Sequence, residues 1–302
     1  MALFTLASIA TDVESCKAWM RDRGLLVKPG VGLRCGRCQH YLNEIQHQRR
    51  CDHTRLRCSR CNRECSVRTC SFFSNSKLRL QVLISLLFLF AHHAQLSLAD
   101  ALLQTSVSER VIVEWFGLFR EICSRWLLAN PMRFGGPGRV VEIDDCLIKK
   151  GKRKSNGDQV PDQWVFGAWD RRLGKGMIWT IDSRSRETLL PIIKEHILPG
   201  SIIYSNNSPV FDSLDEEGYQ HNSVANRRTN EEWSDRNVHL NTIKGWWSKL
   251  KVDLRKMRGV GVNRLLQHLD EVMYRQHRGD GNMVDYLCED IAKFYPLPTK
   301  LP

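Results

Sequence analysis

The sequence predicts a chain of mixed α and β structure in three successive parts: a small zinc-binding ribbon, a helical segment, and a mixed sheet covered by helices. Three observations carry this. Two Cys-x-x-Cys pairs, Cys35 with Cys38 and Cys58 with Cys61, stand 19 residues apart, a zinc-ribbon spacing. An almost wholly apolar stretch over 79–94 reads as a buried helix. Farther on, β-like runs at 140–143, 164–169 and 177–182 precede a helix over 186–197 and a strand over 201–205. Strands first, then strands mixed with helices, imply a mixed sheet with covering helices. At 302 residues the chain suits about two domains and buries a substantial core.

In chain order, residues 12–27 read as one amphipathic helix on Val13, Cys16, Ala18, Trp19 and Leu25, ended by Gly24 and a turn at 28–30. The ribbon follows. Each Cys-x-x-Cys turn presents two thiolates, and the intervening hairpin brings Cys35, Cys38, Cys58 and Cys61 together as a closed, structural zinc site. Cys51, His53, Cys65 and Cys70 lie close by, but their spacing matches no common ligand pattern, so these thiols read as structural. Arg34, Arg37, Arg49, Arg50, Arg55, Arg57, Arg60, Arg63 and Arg68 crowd the ribbon with few acids to balance them. Of these, Arg37, Arg55, Arg57 and Arg60 are the expected phosphate contacts.

The apolar helix carries Gln81 and Ser85 and is too short for a bilayer, which needs about 20 residues. Two more helices are expected over 98–103 and 106–126, joined at 104–106 with Ser106 or Ser108 as cap. Short helix, tight turn and longer helix fit either a helix-turn-helix or a helical spacer. Asn130-Pro131 and Phe134-Gly135-Gly136-Pro137-Gly138 read as a linker. The expected partition is an N-terminal helix (1–28), ribbon (29–78), helical segment (79–130), linker (131–139), mixed-sheet domain (140–280) and C-terminal helix with tail (281–302). Lys149, Lys150, Lys152, Arg153 and Lys154 form a basic arm, with Lys150, Lys152 and Arg153 as expected DNA contacts; a solvated charge run fits equally. The helix over 240–257 has an apolar stripe of Ile243, Trp247, Leu250 and Leu254. Lys244, Lys251, Arg255 and Arg258 recur on another face, and Lys251 and Arg255 join the expected DNA contacts. Trp246 and Trp247 read as core aromatics, and helices over 263–278 and 284–294 close the chain.

A formal net charge of +12 and a pI near 9.3 favour an acidic polymer as partner, most simply double-stranded DNA. Residues 1–10 show no secretory signal, so the 11 cysteines point to metal rather than to disulfides. The expectation is an intracellular protein with no membrane partner.

Five motifs carry a family resemblance: Val141-Glu142-Ile143-Asp144, Gln163-Trp164-Val165-Phe166-Gly167, Glu187-Thr188-Leu189-Leu190-Pro191-Ile192-Ile193, Ile203-Tyr204-Ser205 and His239-Leu240-Asn241-Thr242-Ile243. Together they resemble the catalytic domain of the Merlin group of ISXO2-like DDE transposases. Ser66-Val67-Arg68-Thr69, Phe72-Phe73 and Ser76-Lys77-Leu78 resemble the same family's bridge from ribbon to helices, so the likeness runs from about residue 19 to 275. It implies an RNase H-like fold, a DNA partner, assembly as a dimer and, in a eukaryotic host, the nucleus. It also implies three acids that hold Mg²⁺ or Mn²⁺. Here the first of those positions is Asp144, the second Asn206 and the third Lys244. Two-metal phosphoryl chemistry rests on hard oxygen ligands, mostly carboxylates, and these three side chains sum to no net charge. The expected reading is a transposase-derived DNA-binding protein, zinc-loaded but inactive, with Lys244 pairing with Asp144. One alternative is an active transposase whose metal site is rearranged around Asn241 and the nearby acids Glu142, Asp145, Asp170, Asp182 or Asp212. Another is a protein-interaction module. Strand alternation limits the rearrangement, because Glu142 and Asp144 share a face and Asp145 points away.

Overall fold

A computed structural model describes residues 9–10, 12–28, 33–47, 51–94, 107–151, 153, 159–224, 238–256 and 262–300. In chain order its elements are α1 (Val13–Asp22), β1 (Leu42–Gln46), β2 (Thr54–Cys58), β3 (Glu64–Cys65), α2 (Leu80–Ala91), α3 (Glu109–Ala129), β4 (Phe134–Gly135), β5 (Val140–Lys149), β6 (Gln163–Asp170), β7 (Lys175–Ile181), α4 (Arg186–His196), β8 (Ile197–Leu198), β9 (Ile202–Asn206), β10 (Gln220–Val224), α5 (Asn241–Lys256), α6 (Val262–Arg278) and α7 (Met283–Phe294). The expected short helix at 98–103, its joint at 104–106, and the basic residues Arg49, Arg50, Lys152, Lys154 and Arg258 lie outside the described residues. No helix among the described residues is long and apolar enough to cross a membrane.

The chain divides into two compact units, Met1–Trp126 with Arg278–Pro302, and Leu127–His277. In the first, the Asp12 carboxylate accepts from Ser15 N at 2.8 Å and starts α1. Gly24, at φ +69°, turns the chain, so α1 ends at Asp22 rather than running to 27. The antiparallel sheet β1-β2-β3 buries Leu42 and Leu56 with Val27, Leu33 and Val67. α2 is buried on nearly every side, as its sequence requires, and packs on α1 and α7. An aromatic cluster of Phe72, Phe73, Trp115, Phe119 and Tyr295 fills the space nearby. Two buried cations tie the ribbon down. Lys17 donates to Glu44 Oε1 at 2.8 Å and Thr54 Oγ1 at 3.0 Å. Arg68 makes a bidentate pair with Asp52 and donates to the carbonyls of Ser76 and Leu78. Arg68 is therefore a structural cation and not part of a phosphate-contacting surface.

The second unit holds a five-stranded sheet ordered β10-β9-β5-β6-β7. β5, β6 and β7 pair antiparallel; β9 and β10 add in parallel beside β5. Odd-numbered residues of β5, Val141 and Ile143, join Phe166, Leu189, Ile193 and Ile203 in the main core, on the side of α4. Even-numbered residues face the other way, where α5 packs on β5 and β6. The α5 stripe of Ile243, Trp247, Leu250 and Leu254 is buried. Residues 131–139, expected as a linker, are built into this unit. Phe134–Gly135 pairs with Ile197–Leu198, and the buried Asp170 carboxylate accepts from Gly135 N at 2.9 Å. The apolar Phe134 has more to gain from burial than the glycines have from freedom. At the other end, 278–302 belongs with the N-terminal unit, so the mixed-sheet domain closes at His277 rather than at 280.

Candidate functional site

The sulfurs of Cys35, Cys38, Cys58 and Cys61 lie within 4.8 Å of one another, with Cys35–Cys61 at 3.4 Å and Cys38–Cys58 at 3.3 Å. Zinc–thiolate bonds of 2.3 Å in a tetrahedron set sulfurs about 3.8 Å apart, so the cluster has the size a zinc ion requires. The two turns repeat one another. Gln39 N donates to Cys35 O and Asn62 N to Cys58 O, and Cys35 N and Cys58 N bond to His40 O and Arg63 O. Gln39 and Asn62 both sit at positive φ, 62° and 56°. The amides of Cys38 and Arg37 hold the Cys35 thiol down to about 6, and those of Cys61 and Arg60 lower Cys58. The His40 amide lowers Cys38 too, but burial and the other sulfurs outweigh it and push Cys38 up to about 11. Four crowded thiolates need a cation. Cys51, His53, Cys65 and Cys70 do not join this cluster, and Cys51 instead bonds to Arg68 and Asp52.

Of the ribbon arginines singled out, Arg37, Arg57 and Arg60 are exposed, Arg57 bonding to Asn62 Oδ1 at 3.0 Å. Arg55 is half-buried and pairs with Glu64 at 3.4 Å, which leaves it less free for a phosphate. In the second unit Lys150 and Arg153 are exposed at the end of β5 and beyond it.

Asp144 and Asn206 converge where β5 and β9 part. Their pairing in the ladder stops at Glu142 with Tyr204. Asn206 Nδ2 then lies 3.4 Å from Asp144 Oδ1 and 3.5 Å from Asp145 Oδ1, while its own Oδ1 is buried without a partner. Asp145, in the middle of β5, also comes within reach of the Asn206 amide despite the alternation of the strand. Its other oxygen pairs with Arg184 Nε at 2.7 Å, and that guanidinium stacks on Trp164 at 4.3 Å. Nothing in the sequence flagged Arg184, which stands in the turn before α4. Burial pushes the Asp144 carboxyl up to about 6; the Asp145 charge adds to this, and Lys244 and the Trp247 N–H oppose it. Trp247 Nε1 faces Asp144. Trp247 reaches this place because Gly167, the ladder partner of Asp144, has no side chain. A Cβ there would meet Trp247 Cη2 at 2.4 Å.

Lys244 is exposed and acts on Asp144 through space. The direct pairing expected of these two is not formed, because the first turn of α5 points the lysine outward. Lys251, two turns on, faces Cys146, whose thiol burial pushes up and Lys251 draws back down. Arg255 lies one turn farther, exposed, with its Nε on Lys251 O.

Glu142, two residues before Asp144 on the same face, is committed elsewhere. It is fully buried; its Oε1 takes Arg171 Nε at 2.6 Å and its Oε2 accepts from Ile243 N at 2.9 Å. It thus caps the first turn of α5, where backbone N–H groups lack partners. Arg171 also donates to His239 O at 2.7 Å, fastening the approach to the helix. Asp170 is likewise taken up, by Gly135 N, Leu173 N and Arg139. Asp182, Asp212 and Asn241 are exposed and do not enter the cluster. A buried carboxylate in a strand needs a cation, a signal that could have led from Glu142 to Arg171. Ser205 and His221, joined at 2.7 Å behind Asn206, were not foreseen; burial lowers the His221 pKa.

An ISXO2-like transposase domain matches residues 138–277, nearly the whole of the second unit. An uncharacterized transposase-like protein of Haemophilus influenzae is 31% identical over 88 residues, which are 29% of this chain and 69% of that protein. A simian T-cell lymphotropic virus intasome, solved in complex with PP2A regulatory subunit B56 gamma, aligns over 62% of this chain at 12% identity and a TM-score of 0.28. This chain covers 66% of that one, just under two thirds of its length. The matched domain and the Haemophilus relative together place this chain in the ISXO2-like transposase family.

Proposed function

We propose that this chain is a duplex-DNA-binding protein of transposase descent, of the Merlin group, whose RNase H-like domain no longer holds catalytic metal. One observation carries the reading: the Asn206 amide turns its N–H donors toward Asp144 and Asp145, the two carboxylates a divalent ion would need. Those donors compete with a cation for the same lone pairs. Lys244, exposed nearby, adds a positive charge that opposes a cation through screened space. The donor set therefore does not fit Mg²⁺ or Mn²⁺. The sheet order and the placement of β9 beside β5 support the RNase H-like reading. The doubled cysteine turns support a zinc ribbon, and the net charge of +12 supports a DNA partner. Dimer assembly and a nuclear location rest on the resemblance alone.

The test is a calorimetric Mn²⁺ titration of the zinc-loaded protein beside Asp144→Ala. No saturable binding is expected in either. Saturable binding that disappears in Asp144→Ala would overturn the reading and favour a rearranged, active site built with Asp145. A double variant, Asn206→Asp with Lys244→Glu, should gain Mn²⁺ binding that the native chain lacks. That gain would show the scaffold intact and the side chains at fault.

A further inference from the structure

The ribbon is short of apolar side chains. Its core holds Val27, Leu33, Leu42, Leu56 and Val67 around the clustered cysteines, and a core that small needs outside support. Some of that support comes from far along the chain. Leu297 packs against this same core, and Arg34 N, one residue before Cys35, donates to Thr299 O at 2.9 Å. Arg34 pairs in parallel with Lys300 and antiparallel with Tyr41, so the stretch 33–35 is flanked on both edges. Its burial alternates as a strand requires: Leu33 and Cys35 are buried and Arg34 is exposed.

The sequence prepares the distant segment for this place. Pro296 and Pro298 lack N–H groups and oppose a helix, and a residue before proline is biased toward extended backbone. Leu297 is thus presented from a chain already shaped as a strand. α7 ends just before it at Phe294, and Tyr295 is fixed edge-on against Phe72 at 5.0 Å. Little freedom is left for the segment to lose on docking.

We propose that the four-cysteine ribbon is a binding site for segment 296–300 of its own chain, and that zinc and this segment are bound cooperatively. The peptide it takes is extended, with a leucine between two prolines and a backbone carbonyl for Arg34 N, added at a strand edge. The coupling runs through a shared element. Cys35, once bound to zinc, keeps the strand edge at Arg34 in place. Leu297 in turn covers the core in which Cys35 and Cys58 are buried and keeps water from their sulfurs. Two ligands coupled through one element strengthen each other equally.

The experiment pairs two measurements on the full zinc-loaded chain: amide exchange by NMR, and the rate of zinc transfer to a colorimetric chelator in excess. In Leu297→Ala the Arg34 amide should exchange about tenfold faster. Cys58 N, bonded to Arg63 O at 2.9 Å in the second cysteine turn, should keep its protection. Zinc transfer should quicken several-fold, and Leu297→Met should return both rates to near-native values. Native rates of both in Leu297→Ala would overturn the proposal. A change in either one without the other would overturn the coupling. Loss of Cys58 protection along with that of Arg34 would also count against it, because Leu297 would then support the whole ribbon rather than anchor a separable segment. A native chain that protects Arg34 equally with and without zinc would overturn it as well.

Discussion

The four-cysteine cluster and the Asp144 cluster are both places where a metal-binding pattern meets a fold, and they differ in how their charges are answered. At the cysteines no side-chain cation among the described residues pairs with the sulfurs. Backbone amides lower Cys35 and Cys58, yet the remaining repulsion is left for an ion to resolve. At Asp144 the protein supplies the answer itself, through the Asn206 amide, the Arg184 guanidinium and the Lys244 ammonium. The charge of the first cluster is left for a cation, and that of the second is met in part by side chains.

The comparison predicts first that metal matters to one cluster alone. Structural zinc contributes more free energy than the net stability of an ordinary domain. A strong zinc chelator, or Cys58→Ser, should therefore abolish cooperative unfolding of the N-terminal unit, followed by circular dichroism. One zinc per chain is expected by atomic emission. A melting curve indifferent to chelation would mean that the cysteines hold no ion.

The second way to press the comparison lies within β5 itself. Glu142 and Asp144 share a face, but Glu142 is held by two direct short bonds, while Asp144 has a 3.4 Å amide contact and a lysine acting through space. Glu142→Ala strands the Arg171 charge and uncaps α5, and breaking a buried pair in this way costs roughly 3–5 kcal/mol. Chemical denaturation of the purified variant reads it. A loss below about 1 kcal/mol would mean that Arg171 finds another partner.

Asp144→Asn should do the reverse. The native carboxyl is raised from 3.8 to about 6, so the folded state binds its proton more tightly than the unfolded state does. Stability from this group is fully present below the unfolded value and falls as pH rises through 6. Near pH 7 the ionised, buried carboxylate costs on the order of 3 kcal/mol, at about 1.4 kcal/mol per unit. The variant should be more stable than the native chain at pH 7 and equal to it near pH 3.5. Equal stability at both values would show that Asp144 is better solvated than its burial implies.

How much of this was legible in the sequence follows the range of the forces involved. The cysteine turns were legible because their ligands are fixed by local spacing, and the α5 stripe because burial imposes a period. The family motifs singled out Asp144, Asn206 and Lys244; the structure brings the first two to 3.4 Å and leaves Lys244 exposed. What escaped was long-range pairing. Arg171 meets Glu142 across 29 positions, and Arg184, in the turn before α4, reaches back to Asp145 in the middle of β5. The linker misreading has the same source: Phe134 looked like part of a glycine-rich tether until β8 gave it a partner. Arg68 was counted with its exposed neighbours because nothing local shows that Asp52 lies buried against it.

The smallest effect is the most discriminating. If Lys244 neutralised Asp144 by contact, its removal would strand a buried charge and cost several kcal/mol. The geometry says otherwise, since Lys244 is exposed and works through solvent-screened space. Lys244→Ala should therefore destabilise by less than about 1 kcal/mol, and that loss should shrink further in high salt. Because Lys244 draws the Asp144 pKa down, the variant should also shift the pH midpoint of the stability change upward. The Asp144→Asn background is the control, in which the loss should disappear. A lysine that costs so little to remove is one the fold does not depend on.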